Sequence, residues 1–174
     1  LMLDILNTHQ IIERLINAPL DLAYVEGPVV DMPNLIVTPW RVDTLVVIAA
    51  PDHPLVDKQP LGLNDILAEP FIMREVGSGT RENIELALGS RRLHLNIAME
   101  LGGTSAIKEA VAAGLGISIV SEATIKLERK VGALVVLEVS DFILTRTMSQ
   151  IMVSQRPLSR AAAIFQSMLQ ETGE

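Results

Sequence analysis

The chain predicts an α/β fold, and three observations carry that reading. Strand-like apolar runs alternate with segments of helical periodicity along most of the 174 residues. Hydrophobic residues make up 49% of the chain but aromatics only 3%. Aliphatic side chains must therefore fill the core, which suits a sheet covered by helices better than an aromatic platform for bases. Glycine and hydroxyl residues also recur together at helix starts, the edge at which the ligands of such sheets bind.

Taken in order, Leu1 to Leu6 reads as a strand. Asn7-Thr8 reads as a helix cap, followed by Ile11, Ile12, Leu15 and Ile16 at helical spacing and stopped by Asn17-Ala18-Pro19. Leu20 to Val25 is a second strand ending at Glu26-Gly27. Strand, helix and strand with short links predict a βαβ unit with parallel strands. Pro28 to Asn34 is a loop, Leu35 to Trp40 a short strand, and Thr44 to Ala49 a strand apolar enough for burial on both faces. Pro51 to Pro54 is a turn, and an Asn or Asp cap opens a short helix at Asn64-Asp65-Ile66-Leu67, which Pro70 ends.

The next stretch organises the chain. Phe71-Ile72-Met73 leads into Arg74-Glu75-Val76-Gly77-Ser78-Gly79-Thr80-Arg81, and Ile84, Ala87 and Leu88 then share a helix face. A strand thus runs through a glycine-rich turn into a helix. First-turn N–H groups lack an intrahelical acceptor, and with the helix dipole they favour an anion. Ser78 and Thr80 add hydroxyls. The same residues read equally as a plain N-cap.

Further on, Asn96 to Leu101 is a strand, and Gly102-Gly103-Thr104-Ser105 opens a helix with Ala106, Ile107, Ala110 and Val111 on its apolar face. Gly114-Leu115-Gly116 closes that helix. Ile117 to Val120 is a strand, Ser121 to about Lys130 a helix, and Leu134 to Val139 and Met148 to Val153 are strands. Ser159 caps a last helix carrying Ala162, Ile164, Phe165, Met168 and Leu169.

Charge and composition remove several function classes. The formal charge is −7, from 14 basic and 21 acidic residues, which opposes direct binding of nucleic acid. There is no cysteine, hence no disulfide frame or thiolate chemistry. No apolar run has bilayer length and no basic segment precedes an apolar one, so neither membrane attachment nor a secretory signal is expected. His9, His53 and His94 are scattered, and no nucleophile elbow or phosphate-binding loop motif occurs. Gly114-Leu115-Gly116 lacks the third glycine of a dinucleotide fingerprint, and no residue set has metal-ligand spacing. The expectation is a binding module, not an enzyme, with no cofactor and no metal.

From Leu3 to about Met168 the chain resembles the effector-binding domain of LysR-type transcriptional regulators. Four runs carry the resemblance: Asn7-Thr8 with Leu20 to Ala23; Asp43 to Pro54; Arg74 to Arg81; and Gly103 to Lys108 with Val111 to Ile117. The resemblance implies a two-lobed fold of the type 2 periplasmic-binding-protein kind, with Rossmann-like lobes joined by two crossover strands. Lobe I would hold residues 1–71 plus 148–174, and lobe II residues 72–147. The DNA-binding region and its linker helix, together with the first strand and helix of lobe I, would lie outside these residues.

The resemblance also implies a small-molecule effector bound between the lobes, met by Thr8, Glu26, Gly77, Ser78, Gly79, Thr80, Gly103 and Thr104. Helix-start chemistry favours an anionic metabolite, and Glu26 would then be out of place unless it pairs with Arg74 or reads a cationic group. Lys108 and Arg81 are ambiguous between ligand contacts and surface charges. The implied protein is a cytoplasmic homodimer, or a tetramer at full length, that touches DNA only through its N-terminal region. The competing reading is a solute-binding protein of a transport system.

Overall fold

The computed structural model describes residues 2–17, 20–29, 32–58, 60–89 and 94–171. Two compact units emerge. The first is Leu1–Val42, Gly77–Glu82 and Arg146–Glu174; the second is Asp43–Val76 and Asn83–Thr145.

In the first unit, helix α1 (Thr8–Asn17) precedes the short strand β1 (Ala23–Val25). β1 pairs antiparallel with β7 (Leu144–Val153), with Ala23 opposite Ile151 and Val25 opposite Ser149. The expected parallel βαβ unit is therefore not formed. Its first strand is missing as well: residues 2–7 have no regular structure, and Met2, Leu3 and Ile5 are exposed. An apolar run becomes a strand only when a ladder takes up its backbone groups, and none among the described residues pairs with this one.

Leu15, Val25 and Ile151 form the core of this unit, with Ile11, Ile12, Leu20, Leu35 and Val153 packed around them. Arg156 Nη1 donates to the Leu15 and Leu20 carbonyls at 3.0 and 3.2 Å, so a cation serves the carbonyl end of α1. Helix α6 (Arg160–Glu171) begins after Ser159, whose Oγ accepts from the Ala162 N–H at 3.3 Å while donating to Asp21 at 3.1 Å. That is the cap expected from the sequence.

Strand β2 (Leu35–Ala49) is one continuous element where two strands were expected. The half before Thr44 is largely solvent-facing, so Arg41 and Asp43 are accommodated within the strand. Burial starts at Leu45. Leu45–Ile48 pair antiparallel with β5 (Ser118–Ser121), and Val47–Ala49 with β6 (Val135–Leu137). This pairing moves the expected lobe division. Residues 43–71, expected in the first lobe, belong to the second compact unit because Leu45, Val47, Ala49, Leu55, Leu61 and Ile66 share one core with Phe71 and Met73.

The second unit is built on β3 (Pro70–Arg74), which pairs in parallel with β4 (Asn96–Leu101). On its other side Phe71 bridges Ile117, with Ile72 N–H donating to Ile117 O at 2.8 Å and Ile117 N–H to Pro70 O at 3.0 Å. Side chains alternate across the strand: Phe71 and Met73 enter one core, while Ile72 enters another with Ile48, Ile107, Val111 and Val120. Both faces are covered, which explains the unbroken apolar run. Gly116 permits the approach, since a Cβ there would lie 2.4 Å from Pro70 O and its φ is +152°.

Helix α2 (Leu63–Leu67) starts one residue before the expected Asn or Asp cap. Gly62 is its N-cap, and Asp65 Oδ2 accepts from the Gly62 N–H at 2.8 Å. Helices α3 (Gly79–Gly89) and α4 (Thr104–Ala112) start where the sequence places them, and Ile84, Leu88, Ile107 and Val111 are buried as expected. The segment expected as one helix from Ser121 splits into a 3-10 turn at Glu122–Thr124 and α5 (Lys126–Lys130).

Candidate functional site

Six of the eight residues expected to meet a ligand come together in the first unit. The starts of α1 and α3 are joined by the main chain, with His9 N–H donating to Gly77 O at 3.2 Å. Asn7, not Thr8, caps α1: its Oδ1 accepts from the Gln10 N–H at 3.0 Å, and Gln10 Oε1 accepts from the Asn7 N–H at 3.3 Å. Thr8 is thereby released from capping, and it is buried. Its hydroxyl faces Gly79, where an added Cβ would lie 2.6 Å from Thr8 Oγ1.

Gly79 also meets Gly27. A Cβ on Gly79 would stand 2.5 Å from Gly27 N, and one on Gly27 would stand 2.6 Å from Gly79 Cα. The two backbones touch, and only glycine fits on either side. Gly77 makes the turn with φ +87°, and a Cβ there would lie 3.1 Å from His9 Cβ. Ser78 is at the N-cap position of α3, because its carbonyl accepts from the Glu82 N–H at 3.0 Å. Ser78 and Thr80 are both buried. Thr80 lies inside the helix, so its hydroxyl serves something other than a cap.

That something is an ionic cluster. Arg146 Nη1 donates to Thr80 Oγ1 at 2.7 Å and to Glu26 Oε2 at 3.1 Å, while Thr80 Oγ1 donates to Glu26 Oε2 at 3.2 Å. The Arg146 side chain is only 2% exposed, and that of Glu26 is 43% exposed. Sequence reasoning missed Arg146. A usable signal was present: Leu144, Arg146 and Met148 share one phase of β7, so an arginine on an inward phase must find a carboxylate.

The expected partner of Glu26 is corrected accordingly. Arg74 instead donates to Glu75, through Nε at 2.8 Å and Nη2 at 3.0 Å, and its Nη1 reaches Thr104 Oγ1 at 3.4 Å. Gly103 and Thr104 belong to the second unit, where Gly103 is the N-cap of α4 with φ +93°. Lys108 donates to the Thr124 carbonyl at 2.9 Å and pairs with Glu128, whose carboxyl it holds below the usual glutamate value. Its charge is therefore engaged within its own unit.

The first unit also has an apolar cavity of about 300 Å³ near Leu6, Leu22, Trp40, Phe165 and Leu169. None of the expected ligand-binding residues lines it.

Comparison with known proteins adds the chain's kinship. The family described as the LysR substrate binding domain matches residues 1–174. The HTH-type transcriptional activator CmpR of Synechocystis is 40% identical over 163 residues, covering 94% of this chain and 53% of CmpR. The HTH-type transcriptional regulator YeiE of Escherichia coli is 38% identical over 159 residues, covering 91% of this chain and 54% of YeiE. The chain thus spans about half the length of these relatives. The regulatory domain of CcmR from Synechocystis, solved in complex with 2-PG, superposes with a TM-score of 0.85 at 33% identity, covering 97% of this chain and 80% of that one.

Proposed function

We propose a ligand-sensing role from one premise: this chain belongs to the LysR substrate-binding domain family. Its relatives are transcriptional regulators, which sets aside the transport reading. Its fold is the type 2 periplasmic-binding-protein-like one of LysR regulatory domains.

The effector is a small anion that binds at the start of α3. The observation that carries this reading is the set of three buried hydroxyls, Thr8 in the first turn of α1 and Ser78 and Thr80 at the start of α3, two starts joined by the His9–Gly77 hydrogen bond. Buried hydroxyls at a helix start offer donors where the dipole already favours negative charge. The 2-PG bound by the CcmR regulatory domain lends support. Gly103 and Thr104 offer a helix start of the same kind within the second unit.

Binding biases the domain between two states in proportion to its differential affinity for them. In the whole protein that bias reaches DNA through a region outside these residues and through a homodimer, in the cytoplasm. No enzymatic step is assigned. The test is calorimetric titration of this chain with 2-PG, inorganic phosphate and sulfate, repeated on Ser78→Ala and Thr80→Ala. Binding by the parent chain that weakens in both variants supports the site. Unchanged affinity in both removes it.

A further inference from the structure

The cluster around Arg146 holds an asymmetry. A guanidinium stays charged at every accessible pH, and one that is buried requires a partner anion. Arg146 is enclosed and fixed on a strand, whereas the Glu26 carboxylate stands at the surface on the bend after β1. Glu26 can swing into water, where a carboxylate is well solvated. Arg146 has no such exit. The anion in this pair is therefore the exchangeable member.

The position of that anion matters. One oxygen, Glu26 Oε2, takes hydrogen bonds from both Arg146 Nη1 and Thr80 Oγ1 in the first turn of α3. This is the place and the donor set that a bound phosphate or carboxylate would use. We infer that Glu26 is an internal stand-in for the effector: its carboxylate occupies the anion-binding groups, and an anionic effector binds by displacing it. The inference rests on the reading of the α3 start as an anion site and assigns Glu26 as its specificity residue.

Displacement has consequences that a merely structural ion pair lacks. A weak anion cannot compete with a tethered carboxylate, so Glu26 sets a threshold against abundant inorganic ions. An effector able to replace the carboxylate gains access to a guanidinium already desolvated and aimed.

The test is titration of this chain and of Glu26→Gln with inorganic phosphate and with 2-PG, by calorimetry. The expected result is tighter binding in Glu26→Gln, by about tenfold or more for phosphate, the order of one charge-assisted hydrogen bond. Without anion the variant melts below the parent, and phosphate restores the difference. Glu26→Asp, which keeps the charge but withdraws it by one methylene, binds phosphate with intermediate affinity and serves if Glu26→Gln does not fold. Equal or weaker binding in the variant, while the parent binds and Ser78→Ala impairs it, overturns the stand-in role and leaves the site standing. Weaker binding would make Glu26 a direct contact for the ligand, and equal binding would leave it a structural partner of Arg146 only. Absence of binding by the parent and the variants alike overturns both.

Discussion

Gly27 and Gly79 approach so closely that a methyl group on either must displace backbone. The nearest atoms to a Cβ on Gly79 are Gly27 N, Thr8 Oγ1 and Gly27 Cα, all within 2.7 Å. Gly79→Ala therefore destabilises the chain by about 1–3 kcal/mol, as overpacking does in close-packed regions. Gly89 meets nothing within 4 Å, so Gly89→Ala is neutral or stabilises by up to about 1 kcal/mol through helix propensity. Paired urea denaturation curves check both, and equal midpoints would remove the argument from contact. The glycine motif was readable from the sequence as a strand–turn–helix, and its turn geometry followed. Its partner glycine was only half readable: Glu26-Gly27 was placed at a strand end, but their contact with Gly79 and Arg146 spans more than fifty residues of chain. No local pattern encodes such a distance. What a single side chain does encode is its own need, and a buried arginine needs an anion.

At the scale of elements, capping and strand phase decide what the chain could announce in advance. Ser159 was legible because a hydroxyl before an apolar helical run has few other uses. Ser159→Ala should cost about 1 kcal/mol, the usual loss for an N-cap, with Asp21 losing its hydroxyl partner too. Thermal unfolding checks this, and an unchanged midpoint would show that α6 does not depend on its cap. Strand β2 was less legible, because its periodicity changes from an exposed half to a doubly buried half within one element. Residues 2–7 failed for the opposite reason, being apolar without a ladder to join among the described residues. Acid sensitivity also belongs to this scale. Lys108 on α4 holds the Glu128 carboxyl on α5 below its ordinary value of 4.5, and Lys58 with the Gly62 N–H lowers Asp65 from 3.8. A depressed carboxylate contributes stability above its unfolded value, and that contribution is lost as pH falls through the folded value. Glu128→Gln should therefore flatten the fall of stability with acid below about pH 4.5 while leaving its slope near neutrality unchanged. Denaturation midpoints across that range report the effect, and an identical acid slope in the variant would refute it.

For the whole molecule, family membership and fold class could be read from four motif runs, and the comparisons bear them out. The unit boundaries could not, because they depend on which strand β2 joins rather than on any linker composition. Strands β2 and β7 and helix α3 each begin in one compact unit and end in the other, so no loop marks these three passages. The central claim is that a small anion binds at the α3 start. Thermal unfolding of this chain with and without saturating 2-PG tests it most directly, with Ser78→Ala measured alongside. A ligand that binds only the folded state at a hundred times its Kd adds about 2.7 kcal/mol of stability. A clear upward shift is expected in the parent chain and a smaller one in the variant. A shift of equal size in both would place the anion elsewhere, and no shift with 2-PG, phosphate or sulfate would contradict the anion reading itself.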